Sequence, residues 1–385
     1  MKFEQRVSSL SGLATRRDFL RRCISLALPT VLLGNLVGPR TASAATPVPP
    51  RRERGAAQIN VRDKGARGDG QHDDTSAFQA AIDALPDTGG TVQVPAGAYL
   101  IDAVVSVRLR SRTRLELSPD AKLVAKPNDA AKAYILYLYK VNDVEISGGQ
   151  IIGDRAGHLG TTGEWGHGIQ IRGSSHVTVR DIRISDCWGD GITIGGSDVR
   201  QATPSDDIVI VNVVSTGNRR QGLSIGRSTN VRVQDSEFSN TSGTNPQCGI
   251  DIEPDKPGGT SGVHIENCVV RDNQGPGIQI YKRVTDVTIE RCTIERNRDA
   301  GILAVSAQDG LIVDNRIGDN GQVGVALRQQ TSNFQIRGNR FYNNAIRRHR
   351  PANARSDEDI RSMSAVWAAN DTLGINVTAN VYEDK

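Results

Sequence analysis

The sequence predicts an all-β protein wound as a parallel β-helix, a solenoid of repeated turns entered by a short N-terminal capping helix. Three observations predict it. The 385 residues include 40 glycines and only 4% aromatics, a balance that favours short strands and tight turns over packed helices. Gly168, Gly191, Gly222, Gly249, Gly277, Gly301 and Gly324 each open a glycine–apolar–X–apolar segment, at spacings of 23, 31, 27, 28, 24 and 23 residues. Self-similarity at this period signals one supersecondary unit per repeat. A second apolar segment follows each of the first, from Val177–Val179 and Ile208–Ile210 to Phe334–Ile336. A third strand and a polar corner then complete each turn.

Taken in order, the chain begins with Thr15-Arg16-Arg17-Asp18-Phe19-Leu20, an apolar run from Ile24 to Val37, and Ala42-Ser43-Ala44. A basic region, a short hydrophobic region and small residues at a cleavage point make an export signal. The segment resembles a twin-arginine signal peptide, which implies that residues 1–44 are removed after the twin-arginine machinery exports the folded protein to the periplasm or beyond. Pro29, Gly34 and Asn35 interrupt a run already short for a membrane span, so no stable anchor is expected in the mature form. Residues 45–57, rich in Pro and Arg, read as a disordered lead-in, and 58–385 as a single domain.

Next come Gly68-Asp69-Gly70 and Asp73-Asp74-Thr75, then Phe78, Ala81, Ile82 and Leu85 at helical spacing. Gly89-Gly90 and Val94-Pro95-Ala96-Gly97 bracket a strand and a turn. This opening resembles that of pectate-lyase-like and polygalacturonase-like proteins. The resemblance implies a short helix capping a right-handed parallel β-helix, and it covers the fold from about Asn60 to Asn344. The catalytic pattern departs from the family. Gly166-His167-Gly168 lies ahead of Asp190 and Asp251, where the family places such a motif after its aspartates, and the family's adjacent aspartate pair has no equivalent on a matching turn.

Within the repeats, Asn218, Asn273, Asn297, Asn320 and Asn344 share a corner and predict a ladder that satisfies backbone groups at a bend. Cys268 and Cys292 align on adjacent turns, close enough for a disulfide in an oxidising compartment, although stacked free thiols are the simpler arrangement. After Asn344 the pattern fails, so 345–371 reads as an irregular loop before a last strand at Ile375–Val381.

The chemistry centres on Cys248–Asp255. Ile250 and Ile252 alternate with Asp251 and Glu253, so a strand of period two turns the isoleucines inward and the acids outward. Stacking the repeats puts Asp190, Tyr281, Lys282, Arg219 and Arg220 around that pair, with His167 one turn from Asp190. Asp251 and Glu253 are the candidate acid and base, in an order left open, with Asp190 a third carboxylate. Their separation along a strand, about 6.6 Å at about 3.3 Å per residue, suits an inverting glycosidase. Trp165 and Trp188 stand three residues before successive marker glycines, as a sugar platform or a structural stack.

Three functions fit. One is an exported carbohydrate-active enzyme, a polygalacturonase-like glycoside hydrolase that cleaves a polysaccharide in a groove along the β-helix and requires no cofactor or metal. Another is a uronate lyase or C5-epimerase using Arg220, Lys282, Tyr281 or His167, a reading that admits Ca2+ on the carboxylates. The third is a glycan-binding rod without catalysis. A formal charge of +4 from 47 basic and 43 acidic residues marks no nucleic-acid-binding domain.

Overall fold

A computed structural model describes residues 49–197, 203–255, 257–345 and 364–383. The export signal therefore lies outside the described residues. Strands of consecutive turns pair in parallel on every wall. One wall is a sheet of ten strands in chain order, among them Lys132–Tyr139, Trp165–Arg172, Ile192–Gly195, Leu223–Ile225, Ile250–Ile252 and Ile278–Tyr281. The other two walls merge because Ser175–Ser185 and Ser205–Thr216 run unbroken around the corner between them. At that corner Asp181 and Asn212 take left-handed φ values of 55° and 52°. Short polar side chains tolerate this conformation better than others, which accounts for the Asp and Asn residues between the second and third segments of most repeats, Arg291 and Gly338 taking the same place in two others.

The register confirms the repeat alignment. Ile169, Ile192, Leu223, Ile250, Ile278, Ile302 and Val325 stack strand on strand and are all fully buried. The marker glycines answer to close approach. A Cβ on each would lie 2.6–2.9 Å from the carbonyl oxygen of the residue stacked on it, as for Gly249 against Gly277. At Gly249 the added carbon would also meet Val270 Cγ1 at 2.4 Å. Gly249→Ala is therefore expected to cost about 1–3 kcal/mol by overpacking, read as a lower unfolding midpoint with an unchanged β-sheet spectrum.

The predicted asparagine ladder forms from Asn273 through Asn297 and Asn320 to Asn344, each amide donating to the next side-chain oxygen at 2.9–3.0 Å. Asn218 instead accepts the Cys187 N–H and donates to Ser215 Oγ. A second ladder joins Asn315, Asn339 and Asn380. It extends backwards through Cys292, whose N–H donates to Asn315 Oδ1, and Cys268, whose N–H reaches Cys292 Sγ at 3.4 Å. These cysteines, like Cys187 and Cys248, are free and buried.

Both ends correct the sequence reading. The lead-in read as disordered is anchored where it is described. Arg52 is 4% exposed, donates to Thr178 Oγ1 at 2.9 Å and pairs with Asp207, while Arg54 pairs with Glu145. A buried guanidinium held by four acceptor atoms on Thr178, Val177 and Asp207 fixes its backbone. At the other end Val366–Ala368, inside the span read as an irregular loop, pairs with Val325–Leu327 as the tenth strand of the wall. The helix Thr75–Asp83 caps the core with Phe78, Ala81 and Ile82. Asp74, fully buried, accepts the N–H groups of Arg67 and Gly68, which gives the Gly-Asp-Gly and Asp-Asp-Thr motifs a structural purpose. No helix of the described residues is long and apolar enough to cross a membrane.

Candidate functional site

The ten-strand wall carries the acids. Registers Gln170↔Thr193, Thr193↔Ser224, Ser224↔Asp251 and Asp251↔Gln279 make one polar column on its outer face. Asp251 points outward as expected, but it does not stand on an open acidic face, since only 2% of it is exposed. Gln221 Nε2 donates to its Oδ2 at 2.6 Å and Gln279 Nε2 to its Oδ1 at 3.0 Å. The Cys248 N–H donates to Gln221 Oε1 and fixes the orientation of that amide. Burial, reinforced by the charge of Glu253 and opposed by Arg220, pushes Asp251 up to about 7. Glu253, exposed and one residue beyond the end of the strand Ile250–Ile252, is also raised by burial, against the pull of Arg220.

One turn closer to the N-terminus than Ser224, Asp190 is fully buried. Arg220 Nη1 meets its Oδ2 at 3.0 Å, Ser224 Oγ donates to it at 2.8 Å and Thr193 Oγ1 at 3.1 Å. The other side of the Arg220 guanidinium lies 3.3 Å from Glu164, a partner the sequence reading lacked. Burial disfavours the Arg220 charge, yet Asp190, Asp251 and Glu164 outweigh it and raise the group above its usual range. Arg220 is committed to protein carboxylates, and Asp190 is an internal counter-charge.

His167 lies beside Asp190, but the carboxylate is not its orienting partner. The Asp190 backbone N–H donates to His167 Nδ1 at 3.0 Å, whereas the nearest Asp190 carboxylate oxygen is 3.7 Å away. The proton of the neutral ring therefore sits on Nε2, and burial lowers the histidine to about 4. Tyr134 stacks on the ring at 5.6 Å with planes 7° apart.

The tryptophan pair divides. Trp188 is engaged within the protein. His158 stacks on it at 3.9 Å and the Arg219 guanidinium lies over it at 3.8 Å. Arg219 also donates to the carbonyls of Gly163 and Trp188, so it is a clamp for this loop. Trp165 remains 42% exposed beside Lys132. Tyr281 and Lys282 do meet Glu253. Together with Arg283 they line an open depression of about 660 Å³, with the Lys282 ammonium 4.5 Å from the Tyr281 ring centre.

Glu253, Tyr281 and Lys282 thus share the depression, Asp251 is buried on the strand before Glu253, Asp190, Arg220 and His167 form a largely buried network on the neighbouring turns, and Trp188 and Arg219 are engaged with each other. Among the described residues, His264, Glu266 and Glu290 bring one potential metal-ligand atom each within 4.8 Å of one another. That trio lies on a different wall, and Arg291 pairs with both glutamates.

The chain is 29% identical over 318 residues to the uncharacterized protein YclG of Bacillus subtilis, covering 73% of this chain and 54% of the relative. It spans about half the length of the curated relatives it matches first. The Azotobacter vinelandii mannuronan C-5 epimerase AlgE6 A-module superposes with a TM-score of 0.64 at 19% identity, covering 85% of this chain and 94% of that one. PfbA, a surface adhesin of Streptococcus pneumoniae, gives 0.58 at 19% identity, covering 74% and 85%. Likeness at this level shows shared architecture. Residues 58–126 match a model described as rhamnogalacturonase A/epimerase, pectate lyase-like. The model of the right-handed beta helix region matches residues 126–257 and 244–356, more than half of the sequence, and the chain belongs to that family.

Proposed function

We propose that this protein is a carbohydrate-active enzyme, a glycoside hydrolase that cleaves a polysaccharide lying along the ten-strand wall, with Asp251 as general acid and Glu253 as general base. One observation carries the reading: two carboxylates a single alternation apart have environments that differ in kind. Burial holds Asp251 protonated close to neutral pH, while Glu253 faces the depression. A buried acid beside a more exposed one is the arrangement of a proton donor and a proton acceptor. Gln221 and Gln279 hold the donor, and the roughly 6.6 Å between alternate strand residues leaves space for the attacking water of an inverting reaction. Asp251 would protonate the leaving oxygen while Glu253 takes the proton of the water, so the bond to the anomeric carbon breaks as the bond to water forms.

A second reading is favoured by Tyr281, Lys282 and Arg283 around Glu253. Cations there would neutralise a uronate carboxylate and the phenol would exchange the α-proton, giving β-elimination or C5 epimerisation. Loss of activity on chelation would bring Ca2+ into that reading. Incubation with neutral and uronate polysaccharides, read by product mass, separates the two. Hydrolysis adds one water per cleavage, elimination leaves an unsaturated end with no net mass gain, C5 epimerisation leaves the mass unchanged but alters the uronate composition read by proton NMR, and polymer intact in both length and composition with every substrate overturns both in favour of a binding protein. Export is part of the proposal: replacing Arg16 and Arg17 by lysine is expected to keep the protein in the cytoplasm.

A further inference from the structure

The strand Lys132–Tyr139 lies before the marker-glycine repeats, and what it carries has no counterpart in them. It pairs with Trp165–Arg172, placing Tyr134 against His167, Tyr137 against Gln170 and Tyr139 against Arg172. These are three of only seven tyrosines in the chain. They form a continuous strip, with ring centres 5.4 Å apart between Tyr134 and Tyr137 and 5.9 Å between Tyr137 and Tyr139. Tyr139 is 38% exposed and Trp165, on the neighbouring strand, 42%. Cations lie over its rings: Arg108 5.0 Å from the Tyr137 ring centre, Lys140 5.2 Å from Tyr139, and Lys132 5.2 Å from Trp165.

The strip continues the acid column. Tyr137, Gln170, Thr193, Ser224 and Asp251 occupy successive rungs of one sheet, so Tyr137 stands about 19 Å from Asp251 along the axis at about 4.8 Å per rung. That distance suits an extended chain crossing the coils at right angles to the strands, with one end at the acids and the other on the aromatics. The geometry points to a distal subsite, made by Tyr134, Tyr137, Tyr139 and Trp165 with Arg108, Lys132 and Lys140, that holds the uncleaved arm of an acidic polysaccharide. Aromatic rings offer flat apolar surface to sugar faces and hydroxyls to their rims, and the long cationic side chains can carry charge to carboxylates or sulfates on the same sugars. The inference rests on the proposed polysaccharide reading for its ligand, but binding alone tests it.

The test uses the mature protein carrying Asp251→Asn, so that no polymer is consumed, and affinity electrophoresis in gels containing polygalacturonate or alginate, with dextran as the neutral control. Retardation by a polyuronate and not by dextran is expected. Adding Tyr139→Ala should weaken it about threefold to tenfold, the scale of one aromatic stack, and Tyr139→Phe should preserve it. Arg108→Ala should weaken it in low salt more than in high salt. Melting curves confirm that each variant is folded. Equal retardation of the Tyr139→Ala and parent proteins, or no retardation by either polyuronate, overturns the subsite. Cleavage assays of the otherwise native protein then show separately whether the hydrolase reading stands.

Discussion

Replacing Asp251 by Asn is expected to abolish turnover and, in alkaline buffer, to stabilise the protein. The first effect follows from its role as proton donor, because removing a positioned general acid costs about 10²–10⁴ in rate. The second follows from its burial. The folded-state value is about 7 against an ordinary carboxylate value of 3.8, so between those pH values the native protein holds a proton that the unfolded chain has released. Stability from this group is complete below about pH 4 and is lost as pH rises through 7. The loss approaches about 4 kcal/mol at about 1.4 kcal/mol per pH unit. An asparagine does not titrate, so the Asn variant escapes the loss.

The hydrogen bonds allow that exchange. Gln221 is locked by the Cys248 N–H and must keep donating, which requires an oxygen at that side of residue 251. Gln279 carries no such lock among its hydrogen bonds here, and turning its amide presents an acceptor to the new NH2 group. His167 has the opposite sign. Its value of about 4 lies below the ordinary 6.5, so its contribution is complete above about pH 6.5 and is lost as pH falls towards 4. Denaturant titrations at pH 4.5 and 8.5 check the pair: the Asn variant should gain on its parent at the higher pH and match it at the lower. An Asn variant that keeps turnover, or whose stability difference does not change with pH, removes Asp251 from the donor role.

How much of this was legible in the sequence depended on how local the signal was. The marker glycines, the inward isoleucine column and the asparagine ladder follow from a repeat, because one backbone geometry imposes the same demand at every turn. The outward direction of Asp251 and Glu253 followed from the two-residue period. The burial of Asp251 did not, since it depends on Gln221 and Gln279 from the flanking turns closing over it. Trp165 and Trp188 looked equivalent by spacing, yet the loop carrying His158 covers only Trp188. Glu164 as the partner of Arg220, and the tyrosines of Lys132–Tyr139, were missed for a shared reason. Both lie outside the glycine-led segments, and an alignment anchored on those segments is blind to what precedes them. The alternation of tyrosines at Tyr137 and Tyr139 with Leu138 was the available clue.

Replacing Arg220 by Met should be the most destabilising change in the site. Asp190 is fully buried and relies on this guanidinium for its counter-charge, leaving only the hydroxyls of Ser224 and Thr193 once it is gone. Removing one partner of a buried pair costs about 3–5 kcal/mol, mostly because the other charge is stranded. The same substitution removes the cation that lowers Asp251, so the donor moves further above neutrality. Combining Arg220→Met with Asp190→Asn removes the stranded charge. That double variant should regain most of the lost stability, a coupling measurable as a double-mutant cycle in denaturant. Turnover discriminates the roles. If Asp190 serves only to balance Arg220, the double variant should be more active than Arg220→Met alone, with its pH optimum displaced upward. A double variant that folds as stably as its parent yet is no more active than the single variant would return Asp190 from counter-charge to participant in the reaction.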